Sequence, residues 1–271
     1  MEEQVERLVD KTWDQLQTLP NSQRLMIAVS GIPGSGTTPP PTMSRSLSDE
    51  QRITGKTTLA ARVAQRLNAR WHAANPGLPA NADIATFLPM DGYHLTRAQL
   101  SAMPDPHTAH ARRGAAFTFD APAFLKLVKK LREPICPETG TVYAPSFDHA
   151  AKDPVADDIT IAASARIVVM EGNYLSLGSG APEWKEAAGL MDELWFVDVD
   201  EKVARERLVK RHVASGIAKD EEEAGRRADE NDLVNGREIV EGRLEVNEVI
   251  RSRDDEGWRP EEQGIDKERD A

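Results

Sequence analysis

The chain has 271 residues, 39% apolar and 29% charged, with a formal net charge of −11 and a single cysteine. That is enough for one sizeable α/β domain with its own core, and no apolar run approaches the roughly 20 residues that a bilayer crossing needs. The acidic balance argues against nucleic-acid backbones or anionic membranes as partners, and the six scattered histidines and lone Cys136 give neither a zinc-ligand spacing nor an internal disulfide. The start, Met1-Glu2-Glu3-Gln4, has no leader character, so a cytoplasmic protein is expected.

In chain order, Val5, Leu8, Val9, Leu16 and Leu19 recur at mostly helical spacing until Pro20-Asn21, which predicts an amphipathic leading helix within residues 1–22. Leu25-Met26-Ile27-Ala28-Val29 is a short apolar run ending in Ser30-Gly31, the pattern of a strand buried on both faces. From Thr57, the residues Leu59, Ala60, Val63, Ala64 and Leu67 repeat at helical spacing. Runs at Ile84–Met90, Ile167–Met170 and Leu194–Val199 read as further strands, with a helical stretch Ala123–Leu131 among them. This alternation predicts an α/β domain over residues 23–251, a parallel sheet with helices on both faces whose ligands gather at the carboxyl ends of the strands. A basic helix follows at Val203–His212, with Gly216 as a break before the charged stretch Glu221–Asp229. Beyond Arg251 apolar residues almost vanish, which predicts a disordered tail over 252–271.

A buried strand, a glycine-rich turn and a helix are the setting of a phosphate-binding loop. Gly31-Ile32-Pro33-Gly34-Ser35-Gly36 supplies backbone N–H groups that must turn inward where a Cβ would obstruct. Gly55-Lys56-Thr57-Thr58 supplies the lysine that offsets phosphate charge and the hydroxyl, Thr57, that binds Mg²⁺. Nineteen residues, Thr37 to Gly55, lie between the halves, and without them the chain reads as a complete G-x-x-x-x-G-K-T. The insert is polar, proline-rich and aperiodic, and it spans a whole number of codons. It reads either as an excursion that closes with Gly36 and Gly55 near each other or as an intron kept in the gene model. Looping it out adds closure entropy, so the full chain is expected to bind nucleotide more weakly than a version lacking it.

Four more segments are collinear with this loop: Pro89-Met90-Asp91-Gly92-Tyr93-His94-Leu95; Arg112-Arg113-Gly114-Ala115 with Thr118-Phe119-Asp120; Tyr143-Ala144-Pro145-Ser146-Phe147-Asp148-His149; and Met170-Glu171-Gly172-Asn173-Tyr174-Leu175. Together they resemble the P-loop kinases that include uridine kinase, phosphoribulokinase and bacterial pantothenate kinase, in particular a nucleoside-kinase-like branch near kinases associated with fructose transport. The resemblance implies a P-loop NTPase fold with a helical lid, and transfer of the γ-phosphoryl group of ATP, with Mg²⁺, to a hydroxyl of a nucleoside, sugar or pantothenate-like metabolite. It implies Asp91 as the base that receives the hydroxyl proton. Tyr93, His94, Arg112, Arg113, Tyr143, Phe147, Asp148 and His149 fall on the acceptor side, and arginine suits a carboxylate or phosphate there. Glu171, ending an apolar strand, is placed to hold the Mg²⁺ shell. Arg207 and Arg211 lie where the family's lid closes on the triphosphate. Asn231 and Asn235 fall within the resemblance without a role.

Two other readings stay open at this stage. A protein whose interrupted loop no longer binds ATP would act as a binding or regulatory module, but that leaves the joint presence of Asp91, Glu171 and the lid arginines without a reason. An NTP hydrolase would have no use for the Asp91-to-His94 acceptor segment. The expected partner is a small hydroxyl-bearing molecule, with no nucleic acid and no membrane, and a homodimer is an admissible assembly.

Overall fold

The computed structural model describes residues 2–36 and 55–252. The expected insert, save its last residue Gly55, and the expected tail beyond Ser252 lie outside the described residues. The leading helix is α1 (Glu2–Thr18), which buries Val5, Leu8, Val9 and Leu16. Strand β1 (Leu25–Gly31) is buried along its whole length. Its alternate residues serve opposite faces, because side chains on a strand point to the two sides in turn. Met26 and Ala28 join one apolar cluster, while Leu25, Ile27 and Val29 join a second, which also contains the buried face of α1.

Helix α2 (Gly55–Ala74) packs Leu59, Ala60, Val63, Ala64 and Leu67 into that second cluster. Strand β2 (Ala85–Pro89) ends one residue earlier than the apolar run suggests, since Met90–Tyr93 forms a 3₁₀ turn. Short helices α3 (Arg97–Ser101) and α4 (Pro106–Ala111) lead to α5 (Ala121–Arg132), which Asp120 caps by accepting from the Ala123 N–H. An antiparallel hairpin, β3 (Val142–Asp148) and β4 (Asp153–Ile161), then precedes β5 (Ile167–Glu171). Helix α6 (Pro182–Gly189), β6 (Glu193–Asp198) and α7 (Glu201–Ala214) follow. The chain breaks at Gly216, with φ +67°, before α8 (Glu221–Arg227), a π turn (Ala228–Asp232), α9 (Leu233–Gly242) and a last strand β7 (Glu248–Arg251).

The main sheet has the order β2-β5-β1-β6-β7 and is parallel throughout, as the β/α alternation predicts. Its register places Val29 beside Glu171 and Glu171 beside Pro89, so the carboxyl ends of β1, β5 and β2 are level. The residues that leave those ends therefore emerge together. At the opposite end, α1 is fixed by polar contacts: Lys11 Nζ donates to Glu193 at 2.7 Å and Glu248 at 2.8 Å, and Trp195 Nε1 donates to Glu193 at 3.0 Å. Among the described residues no helix is long and apolar enough to cross a membrane.

Candidate active site

From the end of β1 the chain turns through Ile32 to Gly36, all buried. Gly34 has φ +78°, and a Cβ there would lie 2.6 Å from the Ala204 carbonyl oxygen of α7, so only glycine lets this helix approach the turn. A Cβ on Gly55 would lie 2.8 Å from the Gly36 Cα and 2.6 Å from the Ser35 carbonyl oxygen. Gly36 and Gly55 are therefore side by side, and the two halves of the glycine motif form one loop at the start of α2. This is the closed arrangement that the excursion reading requires.

Lys56 is 4% exposed and donates to the Ile32 carbonyl at 3.0 Å and to Ser35 Oγ at 3.2 Å. Thr57 Oγ1 donates to Glu171 Oε2 at 2.9 Å, and Thr58 follows on the same helical turn. Burial pushes the Glu171 carboxyl up to about 7, against the attraction of Lys56 and together with repulsion from Asp91. Burial likewise lowers Lys56 to about 8; Glu171 and Asp91 oppose that shift while Arg211 adds to it. Arg211 is itself pulled down by burial, with Asp232 and Asp91 opposing and Arg227 assisting. Lys56 thus feels the charges of Glu171, Asp91 and Arg211, and Asp91 acts on all three of the others.

Asp91 sits in the 3₁₀ turn with its side chain 52% exposed. The hairpin closes over this turn, for a Cβ on Gly92 would lie only 2.0 Å from the Pro145 carbonyl oxygen. His94 Nδ1 is 2.9 Å from the Asp91 carbonyl oxygen, and its ring packs 3.9 Å from Phe119 and 4.9 Å from Phe147, centroid to centroid. Burial lowers its pKa, with Asp91 opposing. Arg113 lies over the Phe147 ring at 5.6 Å and pairs with Asp153 at 3.3 Å, while His149 packs on Phe147 at 5.2 Å. Asp148 caps the hairpin turn by accepting from the Ala150 and Ala151 N–H groups, a local structural task. Tyr143 is 54% exposed on the hairpin.

One expectation needs correction. Tyr93 does not line the acceptor side: it is 5% exposed and meets Phe124 edge-on in the core, because the 3₁₀ turn rotates it away from Asp91. Of the two lid arginines, Arg207 is 7% exposed and lies against the phosphate loop, 3.5 Å from the Gly34 carbonyl oxygen and 2.9 Å from Ser252 Oγ, while Arg211 feels the charge of Asp91. Sequence reasoning also missed residues. Arg227 and Asp232 flank Arg211, and Asp232 pairs with buried His212 at 2.9 Å. Asn231 and Asn235, named from the sequence but left without a role, both accept from Arg112, at 3.0 Å and 2.7 Å. Their asparagine type inside a helical stretch was the available signal, since such residues are disfavoured there without a partner.

No protein-family model matches the chain. Over 161 residues it is 55% identical to an ATP-dependent kinase-like protein of Aspergillus versicolor, covering 59% of this chain and 92% of that one. Over 220 residues it is 37% identical to a Schizosaccharomyces pombe protein provisionally named a uridine kinase, covering 81% of this chain and 80% of that one. Among solved structures, a protein of Silicibacter sp. TM1040 provisionally described as a fructose transport system kinase superposes with a TM-score of 0.68 at 28% identity, over 90% of this chain and 98% of its own.

Proposed function

We propose, given that the chain belongs to the family of ATP-dependent P-loop kinases, that it moves the γ-phosphoryl group of ATP onto a hydroxyl of a small metabolite held between the Asp91 turn and the β3–β4 hairpin. The observation that carries this reading is that the phosphate loop with buried Lys56, the Thr57–Glu171 bond and the Asp91 turn all leave the level ends of β1, β5 and β2. In the proposed reaction the acceptor oxygen forms a bond to the γ-phosphorus while the bond from that phosphorus to the β–γ bridging oxygen breaks, and ADP departs. Asp91 takes the proton that the hydroxyl loses, which suits a carboxylate open to solvent at a strand end. The N–H groups of Gly34 to Gly36 and the Lys56 ammonium meet the charge on the phosphates, and Arg211 meets the charge on the group in flight.

Thr57 and Glu171 fit a Mg²⁺ ion. Glu171 is a buried acid raised by burial, with a hydroxyl hydrogen-bonded to it, so a cation would relieve its desolvation. An ion there would be completed by phosphate oxygens and water. When bound it would neutralise charge on the β- and γ-oxygens.

The relatives point to nucleoside and sugar hydroxyls as acceptors to try first. The test is ADP formation by the full chain with and without a panel of hydroxylated metabolites. A kinase gives turnover that depends on an acceptor. Equal turnover without one would make the protein a hydrolase, and no turnover with any would leave it a binding module.

A further inference from the structure

We infer that Asn231 and Asn235 form a neutral clamp that presents Arg112 to an anionic group, a phosphate or carboxylate, carried by the acceptor. The inference rests on the kinase reading for where the acceptor lies, and deepens it by naming the acceptor's charge. Asn231 lies in the π turn and Asn235 four residues on, 4% and 1% exposed. Their Oδ1 atoms accept from Arg112 Nε at 3.0 Å and Nη2 at 2.7 Å. The amides are fixed in turn, Asn231 Nδ2 donating to the Arg113 carbonyl at 3.3 Å and Asn235 Nδ2 to Asn231 Oδ1 at 3.4 Å.

A carboxylate in the place of either amide would bind the guanidinium more tightly, through a charge-assisted bond, but would also cancel its charge. Two amides fix its direction without themselves cancelling the charge. The carboxylate that does approach, Glu238, stays 3.8 Å from Nη2 and is 55% exposed, where water screens it. Among the described residues Arg112 Nη1 has no partner, and the side chain is 27% exposed. Arg113 differs, being paired with Asp153. Arg24 is also held by neutral groups, but carbonyl oxygens occupy its Nε, Nη1 and Nη2 at the amino end of β1, far from the site.

The clamp is set beside the reaction space. Gly236, next to Asn235, packs on Ile32 of the phosphate loop, where a Cβ would lie 3.4 Å from the Ile32 Cβ. Tyr174, three residues beyond Glu171, donates to the Gly114 carbonyl at 2.6 Å and feels the charges of Glu238, Arg112 and Asp232. The adjoining Arg113 acts on His94, beside Asp91. Since the proposed reaction gives the nucleotide's phosphates to Lys56, Arg211 and the loop N–H groups, the charge of Arg112, screened only by exposed Glu238, falls to the acceptor.

The test is titration with inorganic phosphate in a Lys56→Met background, which disables the phosphate loop, with Asn235→Asp and Arg112→Gln added separately. Asn235→Asp keeps the size and sets an anion against Arg112, and because it also replaces the Nδ2 that donates to Asn231 Oδ1, the melting temperature of each variant is measured beside its phosphate affinity. The expected result is phosphate binding by Lys56→Met that falls at least about tenfold in each double variant, while each still shows a cooperative melting transition. ATP titrated onto Asn235→Asp with Lys56 intact should bind within about threefold of the native chain. Phosphate affinity unchanged by both substitutions, or no phosphate binding in the Lys56→Met background, would overturn the inference. A fall in ATP affinity matching the fall for phosphate would assign Arg112 to the nucleotide and overturn the acceptor's charge. These readouts use binding alone, so they are independent of whether a turnover screen finds an acceptor.

Discussion

Thr57 Oγ1 donates to Glu171 Oε2 at 2.9 Å, tying the first turn of α2 to the carboxyl end of β5. The bond joins the phosphate-loop side of the site to a carboxylate that is 8% exposed and that burial would otherwise keep protonated.

A pH profile follows from that carboxylate and its neighbour. Glu171 must lose its proton to act as an anion, and burial raises that step to about 7; Lys56 must keep its proton, and burial lowers its loss to about 8. The value of kcat/KM for ATP should therefore climb as pH rises through the first value and fall above the second. Glu171→Gln should remove the acid limb while lowering the maximum. A native profile flat between about pH 6 and about pH 9 would show that neither group governs nucleotide use.

Asp91→Asn keeps the shape of the 3₁₀ turn and removes the proton acceptor. Turnover should drop by at least about a hundredfold, with ATP affinity changed by less than about threefold. Parallel loss of ATP binding, seen by calorimetry, would place Asp91 in the nucleotide or metal shell instead.

Gly92→Ala must push the hairpin off the Asp91 turn, because the new Cβ would lie 2.0 Å from the Pro145 carbonyl oxygen. Overpacking against backbone should cost about 1–3 kcal/mol in urea unfolding. Turnover should fall more steeply than stability, since the displaced hairpin carries Phe147, against which His94 and Arg113 pack. Full activity in a destabilised variant would separate the hairpin from acceptor binding.

At the other end of the sheet, Lys11→Ala withdraws a cation from Glu193, a carboxylate only 4% exposed, and from Glu248. Gln15 and Trp195 still donate to Glu193, so the loss should be about 1–2 kcal/mol. The KM for ATP should stay as it was, because this contact lies at the amino end of β6. A changed KM would mean that α1 is coupled to the site.

The sheet and the phosphate loop were legible because their signals are local. β1 is an unbroken apolar run, and the loop depends on glycine and lysine at fixed spacing, readable even across residues 37–54. Glu171 stood out as an acid ending a fully buried strand. The β3–β4 hairpin did not, since β4 is mostly exposed and reads Asp-Pro-Val-Ala-Asp-Asp with no clean alternation. Tyr93 was misplaced for a related reason: the period of two that orients side chains along β2 ends at Pro89, and the 3₁₀ turn imposes another. The Arg112 clamp joins residues distant in sequence through a π turn, a local irregularity that apolar periodicity does not register.

The central claim is that the two halves of the glycine motif, meeting at Gly36 and Gly55, make a working nucleotide site in the full 271-residue chain. Calorimetric titration of ATP with Mg²⁺ onto that chain and onto its Lys56→Met variant tests it most directly. The expected result is saturable binding at one site per chain, weakened at least about tenfold by the substitution, since Lys56 is the cation seated in the loop. No binding by the native chain, or binding indifferent to Lys56→Met, would contradict it.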